Sequence, residues 1–314
     1  VRFGAIPLAE ADGALLAHSA RTPTGVIRKG TRLEPHHLEA LAAAGVGTVT
    51  VARLDPGDVH EDAAARRLAE AVAGAHVRVD RAETGRANLF AETAGLVVVD
   101  AARVEAMNAV DPAVTLATLP PFTRVAAGRM VATVKVIPFA VSEATVAAAT
   151  LGPAVSVAPW TARRVAAIST LLPALKVSVV DKTVRILAQR IAETGAAVGA
   201  DVRVPHEEAP LAEAIAAAES DIVVVFGASA VVDTDDVIPA AIRRAGGRVV
   251  HLGMPVDPGN LLVLGEAGGR PVIGAPGCAR SPKTNGFDFV LDRLLAGLAV
   301  APADIVRMGV GGLL

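Results

Sequence analysis

The chain of 314 residues contains no tyrosine, one cysteine and only 3% aromatic residues. Each shortage removes a class of function. A single cysteine rules out an internal disulfide and any multi-cysteine zinc site. So few aromatics leave nothing that reads as a base-stacking platform for nucleic acid. No lysine- or arginine-rich block is present, and the formal net charge is -2. That balance argues against nonspecific binding to nucleic acid or to an anionic membrane. Apolar runs such as "DIVVVFGASAVV" break at Gly or Asp well before membrane-spanning length. No cationic segment followed by an apolar one opens the chain. A soluble, cytoplasmic protein is expected. No Gly-x-Gly-x-x-Gly follows the first strand of the C-terminal region, and there is no Walker-type lysine loop.

What the chain does have is alanine and valine, within a hydrophobic fraction of 52%. Residues 156–300 alternate short Val/Ile runs ("RRVAAIST", "AAVGADVRV", "DIVVVFG", "RVVHLGM") with amphipathic segments such as "DKTVRILAQRIAETG". Near-continuous apolar strands between helices are what a parallel sheet covered on both faces requires. The expected fold is therefore α/β, a doubly wound and mostly parallel sheet at 156–300, preceded by smaller α+β modules. Residues 1–58 form an N-terminal module in which Glu34-Pro35 opens a helix, Gly45 ends it and "VGTVTVARL" is a strand. "LDPGD" (54–58) marks a turn and a boundary. Residues 59–155 form a mixed α+β middle module. Residues 301–314, "APADIVRMGVGGLL", have no polar end and read as a tail or the start of a linker.

In an open doubly wound sheet, ligands bind beyond the carboxyl ends of the strands, where strand order reverses. That rule selects four loops. In "FGASAVVDTDD", the small residues Gly227, Ala228, Ser229 and Ala230 let backbone N–H groups approach an anion. Asp233, Asp235 and Asp236 follow. They serve either as helix caps or, being more than one cap needs, as ligands for Mg²⁺ or for a substrate amine. In "GAPGCARSPKTNG" (274–286), Arg280 and Lys283 precede the last helix, where cations, hydroxyls and helix dipole together suit a phosphate. The bland alternative is a solvated turn. "GMPVDPGN" (253–260) is a rigid turn. Finally, Thr170 ends the region's first strand and Asp181 opens its first helix, where a cap accounts for it.

Other features carry less. His36 and His37 are adjacent, and neighbouring side chains on a helix do not converge on one metal. Cys278 has no nearby histidine in sequence to activate it. "GEAGGRP" (265–271) lies between two strands and is expected to be a hairpin.

Taken together, the loops resemble a family. The segment from "VVVFGASAVVDTDD" through "AGGRVVHLGMPVDPGN" to "GGRPVIGAPGCARSP" is similar to the molybdopterin-binding domain of molybdenum-cofactor biosynthesis proteins, the molybdopterin molybdotransferases and gephyrin-like proteins. Their pattern of a "TGG" loop, a following Asp, a Gly-Gly helix end, an "RPGKP" turn and a "PGNP" loop is matched in order. The counterparts are 226–228, Asp233/Asp235/Asp236, Gly246-Gly247, 256–260 and 268–279. "KGTRLEPHHLEALAAAGVGTVTV" (29–51) is also similar to a molybdotransferase segment. The likeness covers 155–300 well, 29–54 fairly and the middle poorly.

The resemblance implies that the chain binds molybdopterin or adenylyl-molybdopterin. The cofactor-facing residues would be Thr170, Asp181, Gly227–Ala230, Pro258, Gly259 and Asn260. On the last loop they would be Gly274, Pro276, Gly277, Arg280, Ser281 and Lys283. If the chain transfers molybdate, Asp233, Asp235 and Asp236 would be catalytic, with Asp235 and Asp236 as Mg²⁺ ligands. It also implies a homo-oligomer, and a nucleotidyltransferase as partner or fused domain. The chain departs from the pattern in three places. "STLL" (169–172) replaces the acidic "TGDE", Asp257 and Asn260 replace the Arg and Lys of "RPGKP", and Ala228 replaces a glycine. Losing two cations weakens the handling of molybdate, a dianion. Two alternatives therefore stand beside molybdate transfer. One is a noncatalytic carrier module, and the other a nucleotide hydrolase or deamidase like the competence-damage proteins.

Overall fold

Apolar runs of four or five residues bury both faces of a strand only if helices cover both sides, and that is the arrangement of the C-terminal unit. A computed structural model describes all 314 residues and divides them into two compact units, 1–93 with 97–157, and 94–96 with 158–314.

The second unit runs β1 (Arg164–Leu171), α1 (Val177–Ile191), β2 (Ala197–Pro205), α2 (Glu208–Ala217), β3 (Ile222–Phe226) and α3 (Val237–Arg244). It continues with β4 (Arg248–Leu252), β5 (Val263–Ala267), β6 (Arg270–Ala275), α4 (Gly286–Leu295) and α5 (Pro302–Arg307). The strands form one six-stranded sheet in the order β2-β1-β3-β6-β5-β4. β1 is parallel to β2 and β3, and β3 to β6, while β5 runs antiparallel to both its neighbours. The expected doubly wound, mostly parallel sheet is what forms.

Strand alternation divides the core between the two faces. Ala167, Val224 and Ile273 pack with Leu187 and Ile191 of α1 and with Phe287 and Leu291 of α4. Ala166, Ile168, Val223 and Val225 pack with Leu211 and Ile215 of α2 and with Ile238 and Ile242 of α3. Each fully buried side chain of this kind contributes about 1.5–3 kcal/mol. The Gly268–Gly269 link between β5 and β6 is a hairpin, with both residues at positive φ.

Two expectations change here. α1 begins at Val177, with Lys176 as its cap, so Asp181 lies inside the helix rather than opening it. The β-branched "VSVV" hid the first turn, but Val180, Thr183 and Leu187 place one buried face through it. Residues 301–314 are not a free tail: α5 buries Ile305 in the core. The end of the chain is tied at Asp257, which donates its N–H to the Gly312 carbonyl (2.7 Å) and accepts from the N–H of Leu314 (3.0 Å). No helix is long and apolar enough to cross a membrane.

The first unit has two cores. In residues 1–58, antiparallel strands Arg2–Pro7 and Thr48–Arg53 pack with helix Pro35–Ala43 around Leu16, Leu33, Leu41 and Val51. Glu34 and Pro35 open that helix as expected. His36 and His37 do not splay apart. Their ring centroids lie 3.8 Å apart, and ligand atoms of Glu34, His36 and His37 fall within 4.8 Å of one another. Both ends of this trio serve the helix start, since the Glu34 N–H donates to His37 Nδ1 at 3.2 Å and the Glu34 side chain caps the first turn. In residues 59–155, helix Glu61–Val72 covers a four-stranded sheet through Leu68, Leu89 and Val134. The two modules have separate cores but cluster as one unit.

Candidate functional site

β1 connects through α1 to β2 on one side of the sheet, whereas β3 lies on its other side, so strand order reverses between β1 and β3. The carboxyl ends of β1, β3, β6 and β4 all point to the same edge, which gathers the loops after Leu171, Phe226, Leu252 and Ala275.

Thr170 is fully buried at the end of β1. Its Oγ1 accepts from the N–H of Ala228 at 2.8 Å and lies 2.8 Å from Nδ1 of His206, which follows β2. One hydroxyl thus joins the ends of three neighbouring strands. The turn after β3 needs glycine: a Cβ on Gly227 would stand 2.6 Å from the Ser229 carbonyl and 3.1 Å from Ile238. Beyond it, Ser229 and Ala230 are exposed, and the Ser229 hydroxyl makes only a long contact (3.5 Å) to the Ala230 carbonyl.

The three aspartates organise the loop they belong to. Asp236 caps α3, its Oδ1 accepting from the Val237 N–H at 2.7 Å and its Oδ2 from the Val232 N–H at 3.1 Å. Asp233 accepts from the Asp235 N–H at 2.8 Å. Asp235 pairs with Arg243 at 3.0 Å, and Arg243 also donates to the Thr234 carbonyl. The three carboxylates do not form a convergent ligand set, as the Glu34–His36–His37 trio does. Asp181 pairs with Arg203 of β2 at 2.7 Å, and its partner also binds Asp201.

Arg280 points inward. Its Nη1 donates to Thr183 Oγ1 on α1 at 3.0 Å, and its Nη2 to the Gly227 carbonyl at 2.8 Å. The guanidinium lies 5.7 Å from the ring centre of Phe226, and burial lowers its pKa from the ordinary arginine value. A second arginine, Arg190 of α1, fixes the rest of the same loop. It pairs with Asp288 and donates to the carbonyls of Ser281 and Lys283. Asn285 then caps α4 in a reciprocal box with Asp288. Lys283 is left as the exposed cation of the loop. Cys278 is half-buried, and desolvation pushes its thiol above the usual range.

The 253–260 turn abuts this loop. The Gly286 N–H donates to the Pro258 carbonyl at 2.9 Å, and a Cβ on Gly259 would stand 2.7 Å from the Gly286 nitrogen. Asn260 folds back on Met254. Gly274 and Pro276 are buried at the end of β6, and Gly277 is exposed. After β1, Leu172, which stands where the related pattern carries an acid, is exposed, as is Val177 at the start of α1.

Sequence reasoning missed Thr183, Arg190 and His206. An arginine within a helix carries no signal of its own. His206 could have been found from its place one residue beyond a parallel strand.

The family match falls on the segment that builds this geometry. Residues 166–296, from β1 to the end of α4, match the family described as "Probable molybdopterin binding domain". The sheet-forming segment is thus the part of the chain that is similar to this family. Residues 5–53 match a domain of unknown function, which coincides with the first core. No curated protein sequence matches the chain. Among solved structures, a molybdopterin biosynthesis MoeA protein from Pyrococcus horikosii is 15% identical, with a TM-score of 0.32 over 95% of this chain and 75% of that one. A molybdenum cofactor biosynthesis protein from Pyrococcus furiosus is 13% identical, with a TM-score of 0.28 over 96% of this chain and 66% of that one.

Proposed function

We propose that the second unit binds molybdopterin, or its adenylylated form, at the carboxyl ends of β1, β3 and β6. One coincidence carries the reading. The segment matched by the molybdopterin-binding model is the one whose loops meet at the switch point, joined there by Thr170 and Arg280. The donor set suits a phosphate-bearing pterin: the exposed Ser229–Ala230 backbone, the Ser229 hydroxyl and the Lys283 ammonium would take the phosphate. The apolar lip at Leu172 and Val177 suits a flat ring.

Holding the cofactor is favoured over molybdate transfer by what the acids already do. Asp235 is paired with Arg243, Asp236 caps α3, and residues 257 and 260 are Asp and Asn rather than cations. A protein that holds this cargo hands it on, and a nucleotidyltransferase is the recipient we infer. The test is titration of adenylyl-molybdopterin with and without molybdate and Mg²⁺. Saturable binding with no molybdate-dependent release of AMP is expected. AMP release would overturn the carrier reading, and absence of binding would overturn the site.

A further inference from the structure

The start of helix Pro35–Ala43 gathers three metal-ligating side chains, Glu34, His36 and His37, with one ligand atom from each inside a space 4.8 Å across. Geometry at a helix end explains why neighbours in sequence meet there. Cβ atoms tilt toward the amino end of a helix, and in the first turn no earlier turn stands between the side chains. Groups that diverge in mid-helix therefore gather beyond the end of this one.

The lone pairs in that space are poorly used. His36 Nδ1 stands 3.5 Å from Glu34 Oε2, too far for a good hydrogen bond. His37 Nδ1 takes the Glu34 N–H at 3.2 Å, the long limit for such a bond. The Glu34 carboxylate accepts the His37 N–H and keeps further lone pairs. Ring nitrogens and a carboxylate oxygen brought together in this way repel one another unless a proton or a cation lies between them. Both rings also line a cavity of 320 Å³, with Thr22, Thr24, Arg28 and Thr31 among its other walls.

We propose that Glu34, His36 and His37 bind one divalent transition metal of the zinc class, with its fourth position open to this cavity. Imidazole and carboxylate without thiolate suit such ions, and two histidines with one acid form a set that leaves a zinc position free. Arg28 and the threonine hydroxyls suit a small carboxylate or oxyanion as the fourth ligand. A neutral imidazole has one lone pair, so His37 exchanges the Glu34 N–H for the metal. That N–H belongs to an exposed residue and turns to water. The positive end of the helix dipole opposes a cation here, but by much less than three ligand bonds supply. The trio lies in the first unit, so this site and the pterin reading stand or fall separately.

The test strips the full chain with a chelator and titrates it with Co²⁺ alone, then with Zn²⁺. One equivalent of cobalt should give the intense visible bands of a four-coordinate ion, and zinc should bleach them. His36→Ala is the decisive variant, because His36 takes no part in the capping box and its loss leaves the helix start intact. It should weaken cobalt binding by more than the roughly 10–100-fold that loss of a supporting group costs. His37→Ala should do the same, with circular dichroism reporting that each variant is folded. Adventitious binding at histidines elsewhere survives these changes. Absence of the four-coordinate bands, or equal affinity in folded His36→Ala, overturns the proposal even if His37→Ala fails to fold.

Discussion

Arg280 donates from Nη2 to the Gly227 carbonyl at 2.8 Å, so a cation that follows β6 is held by the turn that follows β3. A residue that looks from its sequence position like a free phosphate ligand is thereby part of the frame that sets the site's shape.

Removing that frame should be felt in stability. Arg280→Ala leaves Thr183 Oγ1 and the Gly227 carbonyl without their donor. It is expected to cost about 2 kcal/mol, the range of hydrogen bonds to charged groups. Arg280→Lys should recover less than half, because an ammonium cannot span both acceptors as the fork does. Urea unfolding measures both, and an unchanged midpoint for the alanine variant contradicts the assignment.

Lys283 should behave in the opposite way. Exposed and outside the frame, Lys283→Ala is expected to alter stability by less than about 0.5 kcal/mol. Affinity for molybdopterin should fall about tenfold, and its salt dependence should flatten. Calorimetric titration at two salt concentrations separates these effects. Equal affinity for both proteins would remove Lys283 from the phosphate contacts.

The pair between Arg190 and Asp288 is buried, with side-chain exposures of 7% and 11%. Asp288→Ala strands the arginine and removes half of the α4 capping box. A loss of about 3–5 kcal/mol is expected. Replacing both partners, Arg190→Met with Asp288→Leu, should cost less than the sum of the single changes. Strict additivity in a double-mutant cycle would show that the two side chains are not coupled.

Glu61, in the first unit, gives a pH signature. It is 8% exposed, and burial pushes its carboxyl above the usual range against the pull of Lys135. The folded protein therefore binds this proton more tightly than the unfolded chain does. The associated stability is fully present below the unfolded value, about 4.3, and is lost as pH rises through the folded value. Glu61→Gln should flatten that decline and leave the protein at least as stable at neutral pH. Thermal unfolding across the acid range reports the slope, and an unaltered slope in the variant rules the effect out.

Much of the architecture is legible in the sequence because its cause is local. The runs 222–226 and 165–168 are apolar without interruption and lie between amphipathic segments, the pattern of strands covered on both faces. Glu34-Pro35, Asp236 and Asn285 open helices through their own side chains or their own φ preference. The start of α1 escaped because "VSVV" favours a strand locally, and burial of Val180 and Thr183 overrides that preference. The fate of 301–314 escaped because docking depends on a pocket built by residues far away in sequence.

The site divides along the same line. By itself the sequence marked which loops follow strands of a mostly parallel sheet, since alternation of apolar strands with amphipathic helices puts those strands' carboxyl ends on one edge, while the strand order came from the structure. It also determined that these loops carry small residues, hydroxyls and cations. Only the tertiary structure decided what each cation does. Arg280 and Lys283 are three residues apart in one loop, yet Thr183 and Gly227, distant in sequence, draw the first inward and leave the second in water. A side chain's chemistry is written locally, but its partner is chosen by packing.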